Sequence, residues 1–365
     1  MHSVPQRSTL AQDLTRILRE EIRRGVWHEI LPSEAELCRS YRVSRMTLRV
    51  ALQTLAHDGV VKSSQGQRRR ILRKGPGRRL PRPNSRIVLL APDPVERMAP
   101  FGLYVVDGMR EQLAAAGFEL EVHASRACFS ESPEAALQRF TREKPAAAWA
   151  LLNSTAPLQR WFMQQGLPCM LVGARHPGIE LPSVATDYYS LGRHAAGHFL
   201  RRHHRHLAVL LDSERKAGHA STLAGFQAGC HPVDGAVMRV IRHDSTPQGI
   251  TSCLTQMLEE SPPTGILVAF PRFALAVVSS LACLGVRVPQ DISIIARDSE
   301  QFLDFLMPPI AHYVIDVPLF VRKISRTVLL VASGAPAPAR DQLLLPTFVP
   351  GATLDQVPGH RSAAR

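Results

Sequence analysis

The chain has 365 residues, 45% hydrophobic and 21% charged, with 44 Lys+Arg against 31 Asp+Glu and a formal net charge of +13. This length supplies two or three domains with sizeable cores, and the apolar content excludes an intrinsically disordered chain. The charge is unevenly placed: residues 1–85 hold 18 Lys+Arg and 7 Asp+Glu, while the remaining 280 hold 26 and 24. Excess positive charge confined to a small module is the electrostatic footprint of a nucleic-acid binder. No run of about 18 apolar residues is present, so no membrane span is expected. No apolar segment of a secretory leader is visible at the N-terminus. The six cysteines (Cys38, Cys128, Cys169, Cys230, Cys253, Cys283) are scattered, without a C-x-x-C pair. They read as small hydrophobes in a reducing compartment, and the expected location is the cytoplasm.

The first element is a helix over 9–24, with Leu10, Leu14, Ile17, Leu18 and Ile22 as its apolar stripe and Gly25 as a C-terminal cap. Two short helices follow. Ser33 can cap the first, and Glu36 three residues on completes a capping box. Leu37, Cys38 and Tyr41 then share one face. After a turn at Arg42-Val43, Ser44 can cap the second helix, in which Leu48, Ala51, Leu52 and Leu55 keep the spacing of a buried stripe. Thr47, Arg49 and Gln53 lie off that stripe, and Arg45 stands in the first turn. Arg and Gln side chains pair with base edges in the major groove, and Thr can touch a base or a phosphate. Asp58-Gly59 ends the helix. Two short apolar-basic strands follow, with Gln65-Gly66-Gln67 at their tip and Arg68 beyond. The outline is a winged helix-turn-helix, which places its second helix in the major groove.

These residues resemble the GntR family of bacterial transcription regulators. The likeness is carried by Leu31-Pro32-Ser33-Glu34, by Ser44-Arg45 with Thr47 and Arg49 following, by the run 52–59 and by the wing glycine Gly66. The family often has an Arg after L-P-S-E, and Ala35 stands there instead. The resemblance implies DNA contacts from Ser33, Ser44, Arg45, Thr47, Arg49, Gln53, Gln65, Gly66, Gln67 and Arg68.

Residues 73–85 hold three prolines, two glycines and many arginines, so they read as a linker. Beyond 86 the pattern changes to short apolar runs between helical segments. Strands are expected at 87–91, 118–123, 146–152, 167–172, 184–186, 207–211, 238–242, 266–270 and 292–296. Helices are expected at 103–116, 133–142, 158–165 and 189–202, and near 220–229, 247–260 and 273–284. Fully apolar strands alternating with helices imply parallel sheets covered on both faces. Nine strands suit two doubly wound lobes better than one sheet. The expected division is 1–74 winged helix-turn-helix, 75–85 basic linker and 86–365 a two-lobed α/β body.

The order of motifs in the body resembles the effector domain of the LacI family, which shares the type I periplasmic-binding-protein fold. Val184-Ala185-Thr186-Asp187-Tyr188 resembles the crossover into the second lobe, and Leu223-Ala224-Gly225-Phe226 a helix of that lobe. The segment 284–295 is close to the family's LG..VP.DISV pattern. The resemblance implies a ligand in the cleft between lobes, at the carboxyl ends of strands. The strand-end candidates are Met98, Phe101, Asn153 and Arg175 in the first lobe, and Arg215, Arg272 and Asp298 in the second. Asp298 matches the acid that often bonds a ligand hydroxyl in that family. An Arg common before L-A-G-F is Thr222 here, and an Asp common after the 266–270 strand is Pro271, beside Arg272. Three arginines among the candidates, Arg175, Arg215 and Arg272, favour an anionic or phosphorylated ligand.

Catalytic patterns are weak. His194 and His198 have the i, i+4 spacing of zinc ligands, but H-A-A-G-H lacks the Glu that would activate water. No metal, cofactor or enzymatic activity is expected. The sequence reads as a homodimeric, ligand-responsive repressor that binds double-stranded operator DNA and a small carbohydrate-like effector, with no membrane partner. Two other readings are a two-lobed binding protein for transport and a sugar-acting enzyme with an accessory DNA-binding head.

Overall fold

The apolar stripe of the first helix is narrower than its spacing implies. In α1 (Leu10–Arg24) Leu14 and Leu18 are buried, whereas Leu10 and Ile17 are 63% and 38% exposed. This helix closes a small core with α2 (Glu34–Tyr41) and α3 (Arg45–His57), through Leu31, Leu37, Leu48, Ala51, Leu52 and Leu55. A two-stranded antiparallel ribbon, β1 (Val61–Lys62) and β2 (Arg70–Ile71), completes it by adding Val61 and Ile71. These coordinates are a computed structural model that describes residues 10–24, 26–27, 30–58, 60–62, 69–71, 85–213, 217–338 and 341–357. The chain separates into two compact units, Met1–Arg82 and Pro83–Arg365. The expected linker, apart from Ser85, the helix cap Gly25 and the turn residue Gly59 lie outside the described residues.

The second unit holds two six-stranded sheets. The first lobe is built from β3 (Arg86–Ala91), α4 (Pro100–Ala115), β4 (Glu119–Ala124), α5 (Glu134–Glu143), β5 (Ala148–Leu152), α6 (Ala156–Gln165), β6 (Cys169–Val172) and β7 (Ser183–Thr186). The chain then crosses to the second lobe: α7 (Tyr188–Leu200), β8 (His206–Asp212), α8 (Ala217–Cys230), β9 (Val237–His243), α9 (Pro247–Glu260), β10 (Gly265–Val268), α10 (Pro271–Cys283), β11 (Ser293–Ala296) and β12 (Ala311–Val314). It returns to the first lobe for α11 (Val317–Ala332) and β13 (Gln342–Leu344), and ends in the second with β14 (Thr347–Val349). The chain therefore passes between lobes three times.

The two sheets have the same order, β4-β3-β5-β6-β7-β13 and β9-β8-β10-β11-β12-β14, and every pairing is parallel except β12 with β14. Burial of both faces explains the unbroken apolar strands. In β3, Ile87, Leu89 and Ala91 face α4 and α11, while Val88 and Leu90 join the core under α5 and α6. The second lobe repeats the arrangement, with α9 and α10 on one face and α7 and α8 on the other.

The expected α/β class and two-lobed body are present. Several boundaries moved. The 146–152 and 167–172 strands begin two residues later, and the 266–270 strand ends at Val268, because Phe270 caps α10. Beyond 296 the sequence reading named no element, yet β12, α11, β13 and β14 are all there. The L-A-G-F glycine has a packing reason. A Cβ on Gly225 would lie 1.9 Å from the Tyr189 carbonyl oxygen, and one on Gly192 would lie 2.3 Å from that of Thr222. Only glycines let α7 and α8 approach so closely.

Candidate nucleic-acid interface and effector cleft

In the first unit the capping box forms as the sequence predicts. Ser33 Oγ accepts from the Glu36 amide, and the Ser33 amide donates to Glu36 Oε2 at 2.8 Å. Arg42, in the left-handed conformation at φ 50°, ends α2 and turns the chain into α3. Ser44 Oγ then accepts from the Thr47 amide at 3.1 Å and lies 2.8 Å from Thr47 Oγ1. Both serine hydroxyls are thus committed to holding helix starts.

The α3 stripe of Leu48, Ala51, Leu52 and Leu55 is 0–1% exposed, which fixes the opposite face outward. That face presents Arg45, Arg49 and Gln53, all exposed, with Thr47 half-buried beside them. It also presents Met46 and Val50, 71% and 46% exposed, which the sequence reading passed over. Apolar side chains at such positions can touch the thymine methyl group. Glu34 binds two cations: Arg49 Nε lies 3.4 Å from its carboxylate and Arg69 Nη2 3.0 Å. Arg69 also ties the wing to the start of α2, because its carbonyl accepts from the Leu31 amide. Gln65, Gly66, Gln67 and Arg68 lie outside the described residues.

In the second unit the sheet order reverses between β3 and β5 in one lobe and between β8 and β10 in the other. Ligands of doubly wound folds bind beyond the carboxyl ends of strands at such switch points. Asn153 follows β5 at φ 49° and is exposed. The neighbouring loops are tied together by Gln159, which is fully buried. Its amide nitrogen donates to Ser154 Oγ and to the Ala174 carbonyl, and its Oε1 accepts from the His176 amide. Arg175 is drawn against Asp341, with Nε 2.5 Å from Oδ1. Met98 and Phe101 are half-buried and pack on the α4–α11 core, Phe101 against Phe320 at 5.3 Å.

The second lobe carries a denser polar cluster. Arg297, 2% exposed, donates from Nε and Nη2 to Asp298 Oδ2 at 3.0 and 2.8 Å. Its guanidinium lies 4.3 Å from the Tyr188 ring centroid and 5.0 Å from that of Phe270, while Nη1 reaches Thr222 Oγ1 at 3.4 Å. Tyr188 donates its hydroxyl to Asp298 Oδ1 at 3.0 Å. Burial disfavours the Arg297 charge, but Asp298, Tyr188 and Asp212 outweigh it, so the guanidinium is held charged. Burial raises the Tyr188 phenol, and Asp298 raises it further. Asp298 therefore stands at the expected strand end already engaged by two neighbours. Arg272 is exposed and sits over Phe273 and Phe270 at 4.6 and 5.1 Å. Burial raises Glu300 above the ordinary carboxyl value; Arg272 opposes this and Asp298 adds to it. Asp212 and His219 are buried at the end of β8 and the start of α8, 3.7 Å apart. Arg215 lies outside the described residues.

The sequence reading assigned no site role to Arg297, Tyr188, Asp212 or Phe270. The signal was available for Arg297: a cation directly following four buried strand residues must be paired. His194 and His198 do not form a ligand pair. His194 Nδ1 lies 2.9 Å from the Tyr313 hydroxyl, and His198 stacks on Phe348 at 3.9 Å. Among the described residues no group of three or more His, Cys, Asp or Glu could hold a metal ion, and no helix is long and apolar enough to cross a membrane.

Comparison with known proteins separates the same parts. Residues 10–71 match the family described as bacterial regulatory proteins, gntR family, and residues 196–354 match the periplasmic binding protein-like domain. The HTH-type transcriptional regulator MalR of Streptomyces coelicolor is 23% identical over 218 residues, which cover 57% of this chain and 63% of that protein. The chain thus spans under two thirds of that relative's length. A putative LacI transcriptional regulator from Bacillus cereus subsp. cytotoxis superposes with a TM-score of 0.67 at 17% identity, covering 75% of this chain and 99% of the other. A CelR–cellobiose complex superposes at 0.65 and 18% identity, covering 85% and 91%. At these identities the likeness establishes the fold, including the first lobe, which the family match at 196–354 leaves out. The chain thus joins a segment that matches the gntR family of bacterial regulatory proteins to a two-lobed body whose residues 196–354 match the periplasmic binding protein-like domain.

Proposed function

We propose that this chain is a ligand-responsive, sequence-specific, DNA-binding transcription regulator, acting as a homodimeric repressor controlled by a small polar effector of the carbohydrate class. The observation that carries the reading is the outward face of α3, where Arg45, Met46, Arg49, Val50 and Gln53 stand exposed over a fully buried stripe. Two base-pairing side-chain types and two apolar contacts on one helix face suit major-groove readout. The ion pair to Glu34 orients Arg49 without neutralising the unit, whose overall charge stays strongly positive.

The effector reading rests on the second lobe. Phe270 is a half-buried aromatic group at these strand ends, and Arg272, Asp298 and Glu300 offer charged partners for hydroxyl groups there. Asn153 supplies a polar group at the switch point of the first lobe. The sugar-bound CelR neighbour supports a carbohydrate, and the repressor role follows from the expected release of DNA when ligand alters the body. A selection of random duplex DNA on the full chain tests the first half: the reading expects one enriched motif, and enrichment of no motif contradicts it. Calorimetry of the full chain against a panel of neutral sugars tests the second half. The reading expects binding that Arg272→Ala weakens, and no binding by any sugar contradicts it.

A further inference from the structure

A second binding feature lies on the helical face of the first lobe. A groove of about 780 Å³ runs along α11 and is bounded by Gln112 of α4 and Gln342 of β13. This volume lies within the range of small-molecule sites, roughly 300–1,000 Å³. Arg322, Lys323 and Arg326 line it, in positions i, i+1 and i+4 of one helix, so the two arginines are neighbours on its surface. No acid lies within ion-pair distance of these three cations among the described residues, and α11 contains no Asp or Glu. Ser325 also lines the groove. It is 2% exposed, and its hydroxyl has no hydrogen-bond partner among the described residues. Burying a hydroxyl without a partner is costly, so a group that completes it is stabilised there.

We propose that this groove is an accessory site for an organic phosphate monoester with an apolar body. Neighbouring guanidinium groups bind phosphate oxygens through paired, charge-assisted hydrogen bonds. Ser325 and the two glutamines supply neutral polar partners, and Leu329 and Leu330, which also line the groove, suit an apolar body. The buried hydroxyl favours a small ligand over the backbone of DNA, which needs only a basic surface. The site is separate from the strand-end cluster, and its ligand differs in charge from a neutral sugar.

The test is calorimetry on the full chain with phenyl phosphate, phenol and inorganic phosphate as probes. Phenyl phosphate should bind, phenol should not, and inorganic phosphate should bind more weakly than phenyl phosphate. R322Q/R326Q should weaken phenyl phosphate about tenfold or more, and the single variant K323Q should weaken it less. R272A should leave it unchanged. Thermal melts of the variants matching the parent chain would show that any loss is local. The assignment is overturned if phenyl phosphate does not bind. It is equally overturned if R272A alone abolishes binding, or if R322Q/R326Q leaves phenyl phosphate unchanged and instead weakens binding to every duplex DNA alike. Binding of a phosphoserine peptide with phenyl phosphate inert would overturn the small-ligand assignment.

Discussion

Arg297 is the residue on which the second lobe's strand ends depend. It is buried, carries its charge, and is held by Asp298, Tyr188, Phe270 and Thr222. Removing Arg297 leaves Asp298, one quarter exposed, without its cation, at a cost of about 1–3 kcal/mol. Arg297→Met should therefore lower the stability of the chain by that order, read as a shift in the urea midpoint. Arg297→Lys should not restore it, because an ammonium cannot make the paired bonds or the ring contact. An unchanged midpoint in Arg297→Met would show that the cluster is not structural. His198 gives a pH prediction. Burial pulls its imidazole from 6.5 down to about 4, with His194, Arg201 and Arg202 adding to the shift. The unfolded chain thus takes up the proton first on acidification. Stability is full above the ordinary value and is lost as pH falls from 6.5 toward about 4. Between about pH 7.5 and about pH 5, His198→Phe should lose less stability than the parent chain; equal losses would refute the burial argument. The cysteines divide as their surroundings dictate: Cys128, Cys169 and Cys230 are buried as expected of small hydrophobes, whereas Cys283, at the end of α10, is exposed.

At the scale of elements, α3 and its caps were legible because local rules determine them. Ser44 holds the first turn through the Thr47 amide, so Ser44→Ala should cost about 1 kcal/mol in stability, measured by denaturant unfolding of the full chain. A loss in the noise would mean that the turn is held by packing alone. The capping box, the α3 stripe and the apolar strands all announce themselves by spacing. What stayed illegible is long-range. Asp341 meets Arg175 across 166 positions, and Tyr188 meets Asp298 across 110. No local pattern encodes such pairs. Met46 and Val50 were passed over for another reason: an apolar residue off the buried stripe looks like a lapse in periodicity until the opposite face is known to be packed. The elements beyond 296 were missed because β12, β13 and β14 are three or four residues long and the α11 stripe follows a proline-containing start. Gly225 was read as part of a motif, and only the contact with α7 supplies its cause. Gly225→Ala should force the two helices apart and destabilise the body by about 1–3 kcal/mol.

At the scale of the whole molecule, the account joins a DNA-reading head to a body that senses a ligand. Regulation then requires a coupling free energy between two sites, and the coupling is reciprocal. A sugar that loosens DNA binding must itself bind more weakly when operator DNA is present, which titration with and without DNA would measure. The proposed homodimer should reside in the body. Residues 86–365 should sediment as a dimer, and residues 1–74 as a monomer; a dimeric head with a monomeric body would place the interface on the wrong part. The most direct measurement is the affinity of the full chain for its selected operator and for unrelated duplex, across a salt series, compared with the Arg45→Ala/Arg49→Ala double variant. The account predicts affinity that falls steeply with salt, and a loss on the operator of about 1–3 kcal/mol for each arginine that reads a base, with a much smaller loss on unrelated DNA. Undiminished operator preference in the double variant would contradict the assignment of α3 as the reading helix.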